Sequence, residues 1–120
     1  MTDDIPVLDL AVIDELREQV GGDSEFITDL VATYVSEGDE HLAAMEAAAA
    51  INDAGAIVRP AHTLKSSSAA LGALRLTQIA REIEIAGREE ETSGLTERVA
   101  DARGAWNDTL RAMADAGLTS

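Results

Sequence analysis

Apolar residues in this chain recur at intervals of three and four along five successive stretches, the period of an α-helix with one buried face. The first stretch runs from Asp9 to Val20, with Leu10, Ile13, Leu16 and Val20 in register and Asp9 placed to cap it. Gly21 and Gly22 stop it. Asp23 opens a second, longer helix that carries Phe26, Ile27, Leu30, Val31, Tyr34, Leu42, Met45 and Ala49 and ends near Asn52. Asp53 caps a third that reaches about Gly72, with Ile57, Ala61, Leu64, Ser68 and Leu71 on its inner stripe. A fourth holds Leu76, Ile79, Ala80, Ile83 and Ala86 and fades into the polar stretch from Arg88 to Ser93 before Gly94. A fifth begins near Leu95, aligns Val99, Ala102, Trp106, Leu110 and Met113, and ends at Gly117.

Composition points the same way. One Phe, one Tyr, one Trp and two prolines in 120 residues leave a core of Ala, Leu, Ile and Val, which suits packed helices better than strands. Connections this short force successive helices to lie as antiparallel neighbours. The expected fold is therefore all-α: one domain over residues 1–120, an antiparallel up-and-down four-helix bundle with an additional N-terminal helix. Two positions interrupt the pattern. Gly38, inside the second helix, marks a bend or a close approach by a neighbour. Pro60, inside the third, predicts either a kink near Ala56 or a helix restarting at Pro60.

The charge narrows the possible partners. Against 23 Asp and Glu the chain has only nine Lys and Arg, a net charge of −14. The eight arginines form no basic stripe, so no nucleic-acid partner is expected. The same excess calls for a protein partner whose docking surface is not itself strongly acidic. No run approaches the roughly 18 apolar residues that cross a bilayer, and the opening MTDDIPVLDL has no basic region or apolar signal segment. A cytoplasmic location without a membrane partner is the expectation, as a free-standing module and a monomer, since the bundle closes on itself. With no cysteine there is no thiolate nucleophile or metal ligand. No Gly-rich phosphate loop, GxSxG elbow or HExxH string occurs, so no autonomous kinase or hydrolase activity is expected. Glu37 and His41 stand one helical turn apart but lack further ligands, and no metal or cofactor is expected in this chain.

His62 is the residue with chemistry to offer. At 100° per residue, with the inner stripe of the third helix at zero, it falls at roughly 140°, away from the core. Lys65, the only lysine, follows at three residues and so neighbours the imidazole. Ser66 and Ala69, one and two turns on, keep the surface low enough for another protein to reach the ring. An imidazole of ordinary pKa, about 6.5, is largely neutral at cellular pH and has a lone pair for attack.

The run Ala61-His62-Thr63-Leu64-Lys65-Ser66-Ser67-Ser68-Ala69-Ala70-Leu71-Gly72 resembles the signature of histidine-containing phosphotransfer (HPt) domains: His, any residue, Leu, Lys, small residues, then Leu-Gly. The likeness extends to Leu8-Asp9, the Gly21-Gly22-Asp23 break, Phe26, Leu30 and Tyr34, and covers about Leu8 to Met113. It implies a phosphorelay intermediate. His62 would accept a phosphoryl group from the aspartyl phosphate of one receiver domain and pass it to another, with Lys65 stabilising phosphoryl charge. The receiver domain, of a response regulator or hybrid histidine kinase, would supply the Asp, a Mg²⁺ and a Lys. One departure is Ser66, where the family most often has Gly; its hydroxyl is a candidate hydrogen-bond donor to a phosphoryl oxygen. A hairpin turning near Asn52 sets His62 roughly level with Leu42, so docking contacts are expected from Val58, Arg59, Ser66 and Ala69 on the third helix and from Glu37, Gly38 and His41 on the second. The alternative is a helical protein-binding module of the same shape without phosphotransfer.

Overall fold

A computed structural model describes residues 2–119. After a short 3-10 turn at Thr2–Asp4 come five α-helices: α1 (Leu10–Gln19), α2 (Ser24–Ala50), α3 (Ala54–Ala70), α4 (Leu74–Arg88) and α5 (Leu95–Asp115). The three capping aspartates act as the sequence indicates. Carboxylates of Asp9, Asp23 and Asp53 accept from the backbone N–H of Ala11, Phe26 and Ala56, each at 3.0 Å. Each such cap contributes roughly 1 kcal/mol by satisfying an otherwise orphaned donor.

The four long helices close a ring in which α2 and α4 each pack against both α3 and α5, so α3 and α5 stand diagonally opposite. The interior is aliphatic, with Ile27, Leu42, Met45, Ile57, Leu64, Leu76, Ile83, Leu95 and Met113 all fully buried around Trp106. α1 lies across one end, tied to the α3–α4 turn. There the Asp9 N–H donates to the Gly72 carbonyl at 2.8 Å, and a Cβ on Gly72 would stand 2.5 Å from the Asp9 carbonyl oxygen. With φ of +79° as well, Gly72 is a position only glycine fits.

One polar bond crosses the core. The hydroxyls of Tyr34 on α2 and Ser68 on α3 lie 2.8 Å apart, which explains a serine on an apolar stripe. It also fixes the register of the hairpin: counting back along antiparallel helices, His62 lies level with the stretch from Glu40 to Leu42. The Tyr34 ring meets Trp106 edge-on, centroids 5.2 Å apart.

Trp106 also settles the role of Gly38. A Cβ there would come within 2.3 Å of the indole, so Gly38 is the buried seat of Trp106. It is not a docking residue as expected from its place beside Glu37; a tryptophan on the opposite helix takes up the space. Pro60 does not restart a helix, because α3 runs unbroken from Ala54 to Ala70. The carbonyl that Pro60 leaves unbonded belongs to Ala56, an exposed residue whose backbone water can reach. Six apolar residues of the expected stripes lie further out: Leu10 and Phe26 are exposed, and Leu16, Val20, Leu30 and Leu110 are half-buried.

Candidate functional site

α3 presents His62 to solvent, as the wheel indicates, with 53% of its side chain accessible. Ser66 and Ala69 are exposed along the same strip, so no bulky neighbour screens the ring. Arg59 is exposed one turn earlier. Val58 is half-buried, because α4 approaches closely beside it: a Cβ on Gly87 would lie 2.8 Å from the Val58 side chain.

From α4 comes a residue that reading the sequence missed. Glu84 reaches back to α3 with Oε2 3.0 Å from Nδ1 of His62 and Oε1 2.7 Å from Nζ of Lys65. Arg88, one turn further along α4, donates to the same Oε2 from two of its nitrogens, at 2.8 and 3.1 Å. Only 8% of the Glu84 side chain is accessible. Burial of a lone carboxylate would raise its pKa. Here the Lys65 contact, with those of Arg88 and His62, outweighs burial and holds Glu84 down at about 2. It is therefore ionised throughout the physiological range.

An ionised carboxylate only accepts, so the proton between the two groups sits on Nδ1 of His62 and is donated to Glu84. In the neutral ring the lone pair is then on Nε2. The carboxylate thus selects the tautomer and holds the ring plane. Lys65, three-quarters shielded, has its ammonium anchored beside the same ring.

On the other flank of α3 a shallow groove of about 130 Å³ runs against α2, walled by Leu30, Thr33 and Glu37 on one side and Ser67 and Ala70 on the other. Glu37 is exposed on the α2 wall of this groove, and His41, half-buried, follows one turn on. Phe26 extends this α2 stripe at spacings of three and four, which accounts for an exposed aromatic ring on a helix whose other face is buried. No group of three or more His, Asp or Glu among the described residues is arranged to hold a metal ion. No described helix is long and apolar enough to cross a membrane.

A family model, "Hpt domain", matches residues 29–116, which takes in α2 from Asp29 onward, α3 to α5 and the whole His62 site. Among solved structures the chain is similar to histidine-containing phosphotransfer protein B from Pseudomonas aeruginosa PAO1. The TM-score is 0.76 and the identity 26%, over 87% of this chain and 88% of that one. No curated protein sequence matches the chain significantly.

Proposed function

The chain belongs to the Hpt domain family, and from that premise we propose that it is a phosphorelay intermediate in which His62 takes a phosphoryl group from the aspartyl phosphate of one receiver domain and hands it to another. The observation that carries the reading is the bond from Nδ1 of His62 to Glu84. With that proton fixed, Nε2 attacks phosphorus; the N–P bond forms, the acyl-phosphate P–O bond breaks, and the receiver's carboxylate leaves with the electron pair. The ring keeps its Nδ1 proton and becomes a phosphorylated imidazolium, whose positive charge meets the Glu84 carboxylate. In the return direction the leaving group is a neutral imidazole, so no proton has to move for the transfer to run either way.

Phosphoryl transfer depends mainly on alignment and charge stabilisation. Lys65 supplies a cation on this side, Ser66 a hydroxyl one turn from the ring, and the receiver its Asp, Lys and Mg²⁺. No metal or cofactor is assigned to this chain. Arg59, Val58, Ala69, Glu37 and His41 form the surface on which the receiver rests, and Gly38 drops out of that set. The protein acts as a carrier without turnover of its own, as a monomer in the cytoplasm.

Incubation with a phosphorylated cognate receiver tests this directly. Label is expected on the wild-type chain, stable to alkali and lost in acid as a phosphoramidate is, and absent from His62→Gln. Label reaching that variant equally well would place the acceptor elsewhere, and unchanged signalling output with His62→Gln would favour a binding module.

A further inference from the structure

The net charge of −14 is not spread over the bundle. The hairpin of α3 and α4, Ala54 to Arg88, contains five cations, Arg59, Lys65, Arg75, Arg81 and Arg88, against two acids, Glu82 and Glu84, a local charge of +3. The remaining residues hold four cations against 21 acids, a charge of −17. Of the two hairpin acids, Glu84 has its charge offset by cations, whereas Glu82 keeps its own. Glu84 is buried against the cations Lys65 and Arg88, and Glu82 is half-buried beside the Gln78 amide. Arg75 is turned inward onto the carbonyls of Asp3 and Ile5, leaving the other four cations around His62.

Their placement follows from helix geometry. Arg59 is three residues before His62, and Arg81 is three before Glu84 and seven before Arg88, so each shares a face with the site. The contact between His62 and Glu84 sets the register of the antiparallel pair, which brings Arg81 level with Lys65. Arg59 and Arg81 are exposed and make no ion pair or hydrogen bond among the described residues. The acids closest to this island are Asp53, which caps α3, and Glu89, Glu90 and Glu91, which follow Arg88 at the end of α4; on α2, Glu37 walls the groove.

Resting on the phosphorelay reading, we infer that the α3–α4 face is an electrostatic landing site for a receiver domain whose surface around its phosphorylated aspartate is net acidic, with Arg59 and Arg81 steering the encounter. This reverses what the total charge suggests. An acidic partner is repelled most by α2, which has six acids and no cation, and less by α1 and α5, at −2 and −1; it is attracted where Arg59, Lys65, Arg81 and Arg88 surround His62, so the field selects orientation as well as partner. The two free arginines act on association; Lys65 and Arg88, already committed to Glu84, act at the ring.

The test times phosphoryl transfer to this chain from receiver domains of the source genome, loaded with acetyl phosphate, at limiting receiver concentration. Over ionic strengths from about 0.02 M to about 0.5 M the rate constant is expected to fall roughly tenfold. Arg59→Glu and Arg81→Glu are each expected to slow transfer by roughly threefold or more at low salt and to converge on wild type at high salt. Arg81→Lys is expected to keep the wild-type rate. Arg111→Glu changes the net charge equally but sits on α5, diagonally opposite α3, and is expected to leave the rate within about 1.5-fold. A rate indifferent to salt, or Arg111→Glu as damaging as Arg81→Glu, overturns the steering while leaving the carrier role intact. Label that never reaches His62 at any salt overturns the carrier role itself.

Discussion

Glu84 on α4 accepts a hydrogen bond from Nδ1 of His62 on α3 at 3.0 Å, so the group that decides which ring nitrogen carries the proton comes from a different helix than the imidazole. The consequences of that arrangement can be measured.

Glu84→Gln keeps the shape of the side chain but can donate as well as accept, which frees the imidazole to take either tautomer. The rate of phosphoryl acceptance from a loaded receiver is expected to drop roughly 10- to 100-fold, in line with the loss of an orienting partner elsewhere. Nitrogen chemical shifts of the His62 ring should move toward a tautomer mixture. An unaltered rate with an unaltered tautomer would show that the carboxylate is a spectator.

The same group makes the fold acid-sensitive. Its pKa lies at about 2 in the folded chain against 4.5 ordinarily, so the native state binds this proton less readily than the unfolded state. The stability it contributes is fully present above pH 4.5 and is lost as pH falls toward 2. At most about 3 kcal/mol is at stake from a shift of this size. Denaturant melts in that window should show a steep decline for wild type and a shallower one for Glu84→Gln. Part of the slope remains in the variant, because the Arg103 contact also lowers Glu46.

Gly38→Ala is expected to act on stability. The added methyl meets the Trp106 ring, and overpacking of this kind costs about 1–3 kcal/mol. A lowered Tm is the readout. Glu37→Ala, one position earlier and exposed, should leave Tm nearly unchanged and alter transfer from the receiver instead. The two neighbours thus separate packing from docking.

Tyr34→Phe removes one partner of the buried bond to Ser68 and is expected to cost about 1–3 kcal/mol. Burial pushes the Tyr34 hydroxyl up to about 12 from 10, so its share of stability holds below pH 10 and is lost as pH rises toward 12. Alkaline melts of the Phe variant should lack that loss.

Much of this molecule was legible from residue spacing. Helix periodicity located all five helices, aspartate caps marked three of their starts, and the angular position of His62 set it on the outer face, because each of these is decided within a few residues of chain. Leu10 and Phe26 fitted the apolar stripes yet lie exposed, since a stripe says which face is apolar and not how far the neighbouring helix extends over it. Pro60 left two geometries open in sequence; the unbroken α3 excludes a restart there, and the missing bond falls at an exposed turn where it costs little.

The sequence by itself determined the bundle and the outward-facing position of His62 beside Lys65, because helical period and residue spacing are local properties. Only the tertiary structure decided what surrounds that imidazole. Glu84 is 22 residues from His62 and looks like any other of the 23 acids until α4 folds back on α3. Gly38 likewise became the seat of Trp106 only once α5 closed on α2. Charge and space are shared between helices, so their balance at one atom cannot be read along a single strand of chain.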